Sequence, residues 1–247
     1  VGLFRKKKVK KLSQNEAAIE RAVSSVEKIG TSLSWVENVN LPDTPVTQES
    51  AKLFLTAVEE LPGQIAEAEA AFLDISALVH KIKSISYKIK LYQKTGVVHD
   101  ALLTYGGNEY EGAVHALLEK IQGVVLFVKR FKIDKEVRDF VGSGKKSIDP
   151  KELLDSNERA FLKQHLSRDS HEVGGGAYEI LKKIVTELKA VYYTDDLRDA
   201  LGEQKSVNLQ PLKSAIADLE KLPAFDADKK AELKALIVRL QAIAKKK

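Results

Sequence analysis

The sequence predicts an all-α protein: a multi-helix bundle of about seven to nine helices with a long heptad-patterned helix and a C-terminal helical hairpin. Three observations predict it. Apolar residues recur at three-four spacing in every strong pattern, and capping or breaking residues bracket those patterns. Alternation by two, the mark of a half-buried strand, is confined to one short stretch.

Leu12, Ile19, Ala22, Val26, Ile29, Leu33 and Val36 form the first helical stripe, with Asn15 a polar break and Gly30 a weak point. Pro42 and Pro45 end it, and Thr44 before Pro45 predicts an N-cap followed by Pro at the first helical position. Phe54, Ala57, Val58 and Leu61 make the next face, which Pro62-Gly63 is expected to interrupt. From Ala68 through Ala71, Ile75, Leu78, Ile82, Ile85 and Ile89 to Tyr92 the spacing alternates by three and four without a break. That register predicts a long helix packed along a neighbour. Ile85, Tyr87, Ile89 and Leu91 also alternate by two, but the seven-residue register runs straight through them and favours helix. Acids at Glu67, Glu69 and Asp74 and bases at Lys81, Lys83, Lys88, Lys90 and Lys94 complement the dipole of such a helix better than they suggest a phosphate stripe.

Residues 95–109 read as a turn-rich connection, and Val114, Leu117, Leu118, Ile121, Val124, Val125 and Val128 as a broad stripe for a deep core. Asp149-Pro150-Lys151-Glu152 predicts a capped helix start, with the helix expected to reach Leu166. Gly174, Gly175 and Gly176 interrupt the chain before a stripe of Ile180, Leu181, Ile184, Leu188 and Val191. Leu212, Ala215, Ile216 and Leu219 face Leu233, Leu236, Ile237, Leu240 and Ile243 across Pro223, which predicts the C-terminal hairpin. The polar, glycine-bearing stretch from Gly142 is the expected seam. It divides the chain into a basic arm (1–12), an N-terminal bundle (13–141), a linker (142–149) and a C-terminal bundle with a basic tail (150–247).

Composition narrows the function classes. A chain of 247 residues that is 44% apolar and 30% charged can bury a sizeable core. It has no cysteine, which removes disulfides, thiolate nucleophiles and Cys-based zinc sites from consideration. No run approaches the roughly eighteen apolar residues of a membrane span. The charged first residues have no apolar segment behind them, so no secretory leader is expected, and Lys6 stands where a myristoylation motif needs Ser or Thr.

Motifs with chemistry fare poorly. Gly142-Ser143-Gly144-Lys145-Lys146-Ser147 resembles a phosphate loop, but Asp139 stands where its first glycine belongs and Lys146 where its magnesium-holding hydroxyl belongs. It reads as a linker. Gly174, Gly175 and Gly176 open a helix and could offer amides to an anion, although a hinge is the simpler reading. His165, Asp169, His171 and Glu172 are the one local cluster of histidines and carboxylates, and they read as solvated loop residues rather than metal ligands. Asp195, Asp196 and Asp199 beside Tyr192 and Tyr193 suggest caps, and Trp35 extends a helical stripe and is expected to pack. No metal or cofactor is predicted.

Charge is the most informative remainder. Arg5, Lys6, Lys7, Lys8, Lys10 and Lys11 crowd the first twelve residues with no acid among them, and Lys245, Lys246 and Lys247 close the chain. The body between them carries four more acids than bases, although the whole chain is +5. The expectation is a non-enzymatic, cytoplasmic helical scaffold whose arm docks on an anionic partner, nucleic acid or a ribonucleoprotein without sequence reading. A peripheral membrane scaffold that self-assembles through the long heptad helix is the alternative, and an enzyme with a site between the two halves comes third.

Overall fold

A capping box starts the first helix. In the computed structural model, which describes residues 13–40, 44–89, 100–106, 109–170, 172–193, 197, 231, 232, 235 and 238, the Glu16 amide donates to Ser13 Oγ at 3.1 Å while the Ser13 amide donates to the Glu16 carboxylate at 2.7 Å. Two otherwise unpaired amides are satisfied at once, and α1 (Gln14–Asn40) runs from there without a break. Ile19, Ala22, Val26, Ile29, Leu33 and Val36 are all buried, so the predicted stripe is the core face.

The second helix starts later than Thr44-Pro45 suggests. Val46–Thr47 form a short strand, β1, and Thr47 and Ser50 exchange backbone-to-hydroxyl bonds of 2.9 and 3.1 Å that cap α2 (Gln48–Ile89). Pro62 lies inside α2 and does not interrupt it. Ala57, Val58, Leu61, Ile65, Ala68 and Phe72 are buried on both sides of the proline. Each large apolar side chain so buried contributes about 1.5–3 kcal/mol, so the continuous stripe outweighs the ~3 kcal/mol that one interior proline costs. The stretch with alternation by two is helical through Ile89.

Three helices follow: α3 (Asp100–Tyr105), α4 (Tyr110–Arg130) and α5 (Ile133–Gly142). Next come β2 (Ser147–Ile148), α6 (Pro150–Leu153), α7 (Ser156–His165) and α8 (Gly174–Tyr192). Asp149 caps α6 as its sequence predicts, but the helix does not continue to Leu166. Asp155 accepts from the amides of Asn157 and Glu158 and restarts the chain as α7 with its own capping box.

Helices α1, α2, α4 and α8 surround the core. α8 runs antiparallel to α1: Tyr178 crosses α1 at Gly30, Lys189 pairs with Glu20 at 2.8 Å, and the Tyr192 hydroxyl meets Ser13 Oγ at 3.0 Å. Glu187, buried on α8, accepts from the Leu102 amide at 3.0 Å and ties down the first turn of α3. β1 and β2 pair antiparallel, Val46 opposite Ile148.

The chain divides into compact units Val1–Tyr192 and Tyr193–Lys247. Within the first unit β2 pairs back onto β1 and α8 packs on α1 and α4. Of the second unit, Leu197, Ala231, Glu232, Ala235 and Val238 are helical. The predicted C-terminal hairpin otherwise lies outside the described residues.

Candidate functional site

Arg5, Lys6, Lys7, Lys8, Lys10 and Lys11 lie outside the described residues. The point where they join the body is defined, however. Ser13 is held by its capping box and by Tyr192, whose side chain is fully buried. The arm therefore ends on a fixed position at one end of α1. Reading the first stripe from Leu12 passes over the Ser-x-x-Glu signature at Ser13 that marks the helix start; the bond to Tyr192, 179 residues away, has no local signal.

At the other end of the bundle a ladder of aromatic rings joins α4 to α7. Phe127 stacks on Phe161 at 3.8 Å with the planes 11° apart, and Phe161 stacks on His165 at 4.0 Å. Phe131 leans on Phe127 at 4.5 Å, and the Arg130 guanidinium lies 5.9 Å over the Phe131 ring. His165 is thus not a solvated loop residue. Its Nδ1 is buried without a hydrogen-bond partner among the described residues, and burial pushes its pKa down. His171 lies outside the described residues, and no group of three metal-binding side chains forms among those described. Two aromatic pairs at i, i+4, Phe127 with Phe131 and Phe161 with His165, were readable in the sequence. That the two pairs meet is a tertiary fact.

The outer surface of this end is apolar and positive. Leu126 is 60% exposed and Phe131 47% exposed. Lys129, Arg130 and Lys132 are exposed beside them and engage no ion pair among the described residues. Lys132, at φ +58°, turns the chain from α4 into α5.

Two of the body's clefts are lined by described residues. Trp35 is half-buried and lines one of about 290 Å³ between α1 and α2, with Lys28, Thr31, Leu53 and Glu60. Ser32 in its wall donates to Gln64 at 2.9 Å, and Gln64 donates to Glu60 at 3.2 Å. The other, also about 290 Å³, has Glu136, Asp139 and Glu152 around Phe140 and Leu153. Burial first, then the neighbouring Glu158, Asp155 and Asp139 carboxylates, raise the Glu136 pKa. Neither cleft sets a nucleophile against a base, although both hold hydroxyls and carboxylates.

The glycines that open α8 are not a hinge. Gly174, Gly175 and Gly176 are buried in its first turn; a Cβ on Gly174 would come within 2.7 Å of Val124 Cγ2, and one on Gly175 would overlap the Leu166 carbonyl. At Gly175 the backbone of Leu166 approaches too closely for a side chain. His115, on the exposed face of α4, lies 2.7 Å from Glu69 and 3.4 Å from Glu119. The hydrogen bond that Glu69 accepts from the ring, reinforced by the charge of Glu119, raises the His115 pKa.

No helix among the described residues is long and apolar enough to cross a membrane. Compared with known protein families, curated protein sequences and solved structures, the chain finds no match.

Proposed function

We propose that this protein is a non-enzymatic, cytoplasmic helical scaffold that docks on an anionic partner through Arg5, Lys6, Lys7, Lys8, Lys10 and Lys11. The partner class is nucleic acid or a ribonucleoprotein, bound without sequence reading. One observation carries this: six cations without an acid precede a body that is net acidic. Lysines neutralise phosphates as point charges and release counterions, a contribution that carries no base information and falls steeply with salt. A bundle with a fixed point of attachment at Ser13 suits a role in which the body positions and the arm binds.

The test compares the full chain with one lacking residues 1–11 for single-stranded RNA binding across a salt series. Neutralising six phosphates predicts that truncation lowers the slope of log K against log salt by about 4. Equal slopes for the two chains refute the proposal.

A second reading, a peripheral membrane scaffold assembling through α2, is favoured by a different observation. Leu126 and Phe131 are exposed beside cations at the end of α4.

A further inference from the structure

Each large exposed apolar side chain of the first unit needs a reason, and Leu73 has a bland one. Leu73 is 52% exposed, but Asp74 follows it and Glu69 lies one turn before it, so it is an isolated apolar spot on an acidic face. The end of α4 differs. Between Leu126 and Lys132 there are three cations and no acid. The nearest acid in sequence, Asp134, lies 3.9 Å from Arg138. The two exposed side chains, Leu126 and Phe131, stand on a rigid base, because Phe127 beneath Phe131 is buried and stacked on Phe161.

We infer that the corner between α4 and α5 is a lipid-contact site, at which Leu126 and Phe131 enter the headgroup layer of an anionic bilayer while Lys129, Arg130 and Lys132 meet its phosphates and carboxylates. It rests on the membrane reading of this protein and is independent of the arm. Apolar side chains flanked by cations that engage no ion pair among the described residues are what an interfacial contact requires: each cation near an anionic surface and each buried CH₂ adds to the partition. Charge complementarity alone would suit nucleic acid equally, but the apolar members would not. Leu126 has no π-face for a base, and the Phe131 ring is already in contact with Phe127 and Arg130.

The corner is also far from Ser13, the described residue that follows the arm in sequence. Gly174 at the start of α8 packs against Val124 and the Lys120 carbonyl, whereas Tyr192 at its end meets Ser13. Nineteen residues of α8 span roughly 28 Å between those points, and the arm can be deleted without altering any residue of the corner.

The test uses the full chain and the chain lacking residues 1–11, sedimented with phosphatidylcholine vesicles and with phosphatidylcholine–phosphatidylserine vesicles. The truncated chain is expected to bind the phosphatidylserine vesicles and not the neutral ones. In that background Leu126→Gln with Phe131→Gln should lower binding by about tenfold or more. Lys129→Gln, Arg130→Gln and Lys132→Gln together should lower it by roughly a hundredfold. Circular dichroism checks that each variant is folded, and Leu126→Gln alone, which should cost about fivefold, serves if the loss of Phe131 disturbs α4. The inference is overturned if the truncated chain ignores phosphatidylserine vesicles, if the glutamine variants bind as well as their parent, or if the truncated chain binds a single-stranded oligonucleotide in their place. RNA binding lost only on truncation tests the arm and leaves this result unchanged.

Discussion

The same substitution, Gly to Ala, should have opposite effects at two helical positions, and the comparison tests the packing of α8 directly. Gly123 lies mid-way along α4, and a Cβ there would meet nothing within 4 Å. Ala at that site lowers the backbone entropy of the unfolded chain at no steric cost, so Gly123→Ala should stabilise by about 0.5–1 kcal/mol. Gly175 is also helical, and the same gain applies. Its Cβ, however, would come within 2.5 Å of the Leu166 carbonyl carbon and 3.0 Å of Leu166 Cα. No rotamer change relieves a clash with backbone, so α8 must move away from the end of α7 and loosen the Val124 and Leu166 contacts. Overpacking of that kind costs typically 1–3 kcal/mol or more, which exceeds the propensity gain. Gly175→Ala is therefore expected to destabilise by about 1–2 kcal/mol net. For a chain of this length that lowers Tm by roughly 2–8 °C, whereas Gly123→Ala raises it by roughly 1–4 °C. Far-UV circular dichroism on heating, with urea midpoints at constant m-value, reads both. If Gly175→Ala raised Tm as Gly123→Ala does, the close approach of α8 to Leu166 would be wrong.

Other expectations follow from single contacts. Tyr192→Phe removes the bond to Ser13 Oγ and should cost about 0.5–1.5 kcal/mol by urea denaturation; no change would mean the hydroxyl is solvated in both states. Pro62→Ala restores the missing donor inside α2 and should stabilise by about 1–2 kcal/mol, part of the gain being offset by a freer unfolded chain. A lower urea midpoint for Pro62→Ala would show that α2 depends on its proline. The histidines should titrate in opposite directions by NMR. His115, raised by Glu69 and Glu119, contributes stability that is fully present below about pH 6.5 and is lost as pH rises through its folded pKa. His165, lowered by burial, contributes stability present above about pH 6.5 and lost as pH falls through its folded pKa. Finding His165 titrating above His115 would contradict the ring stack that buries it.

The sequence by itself determined the fold class and most of the core. Period 3.6 is a local property, so the stripes from Ile19 to Val36 and from Val114 to Val128 could be read one helix at a time, and both are buried. Caps are local too, which is why Asp149 was legible. Breakers proved less reliable, because whether Pro62 or Gly174 ends a helix depends on what the flanking residues bury or approach. The charge of the arm was likewise plain in the linear order of residues. Only the tertiary structure decided that Phe127 meets Phe161, that Tyr192 closes on Ser13, and that Leu126 and Phe131 are left outside the core. Such pairings join residues distant in the chain, and which of several equally apolar helix faces turns inward is settled by the helices that pack against it rather than by its own spacing.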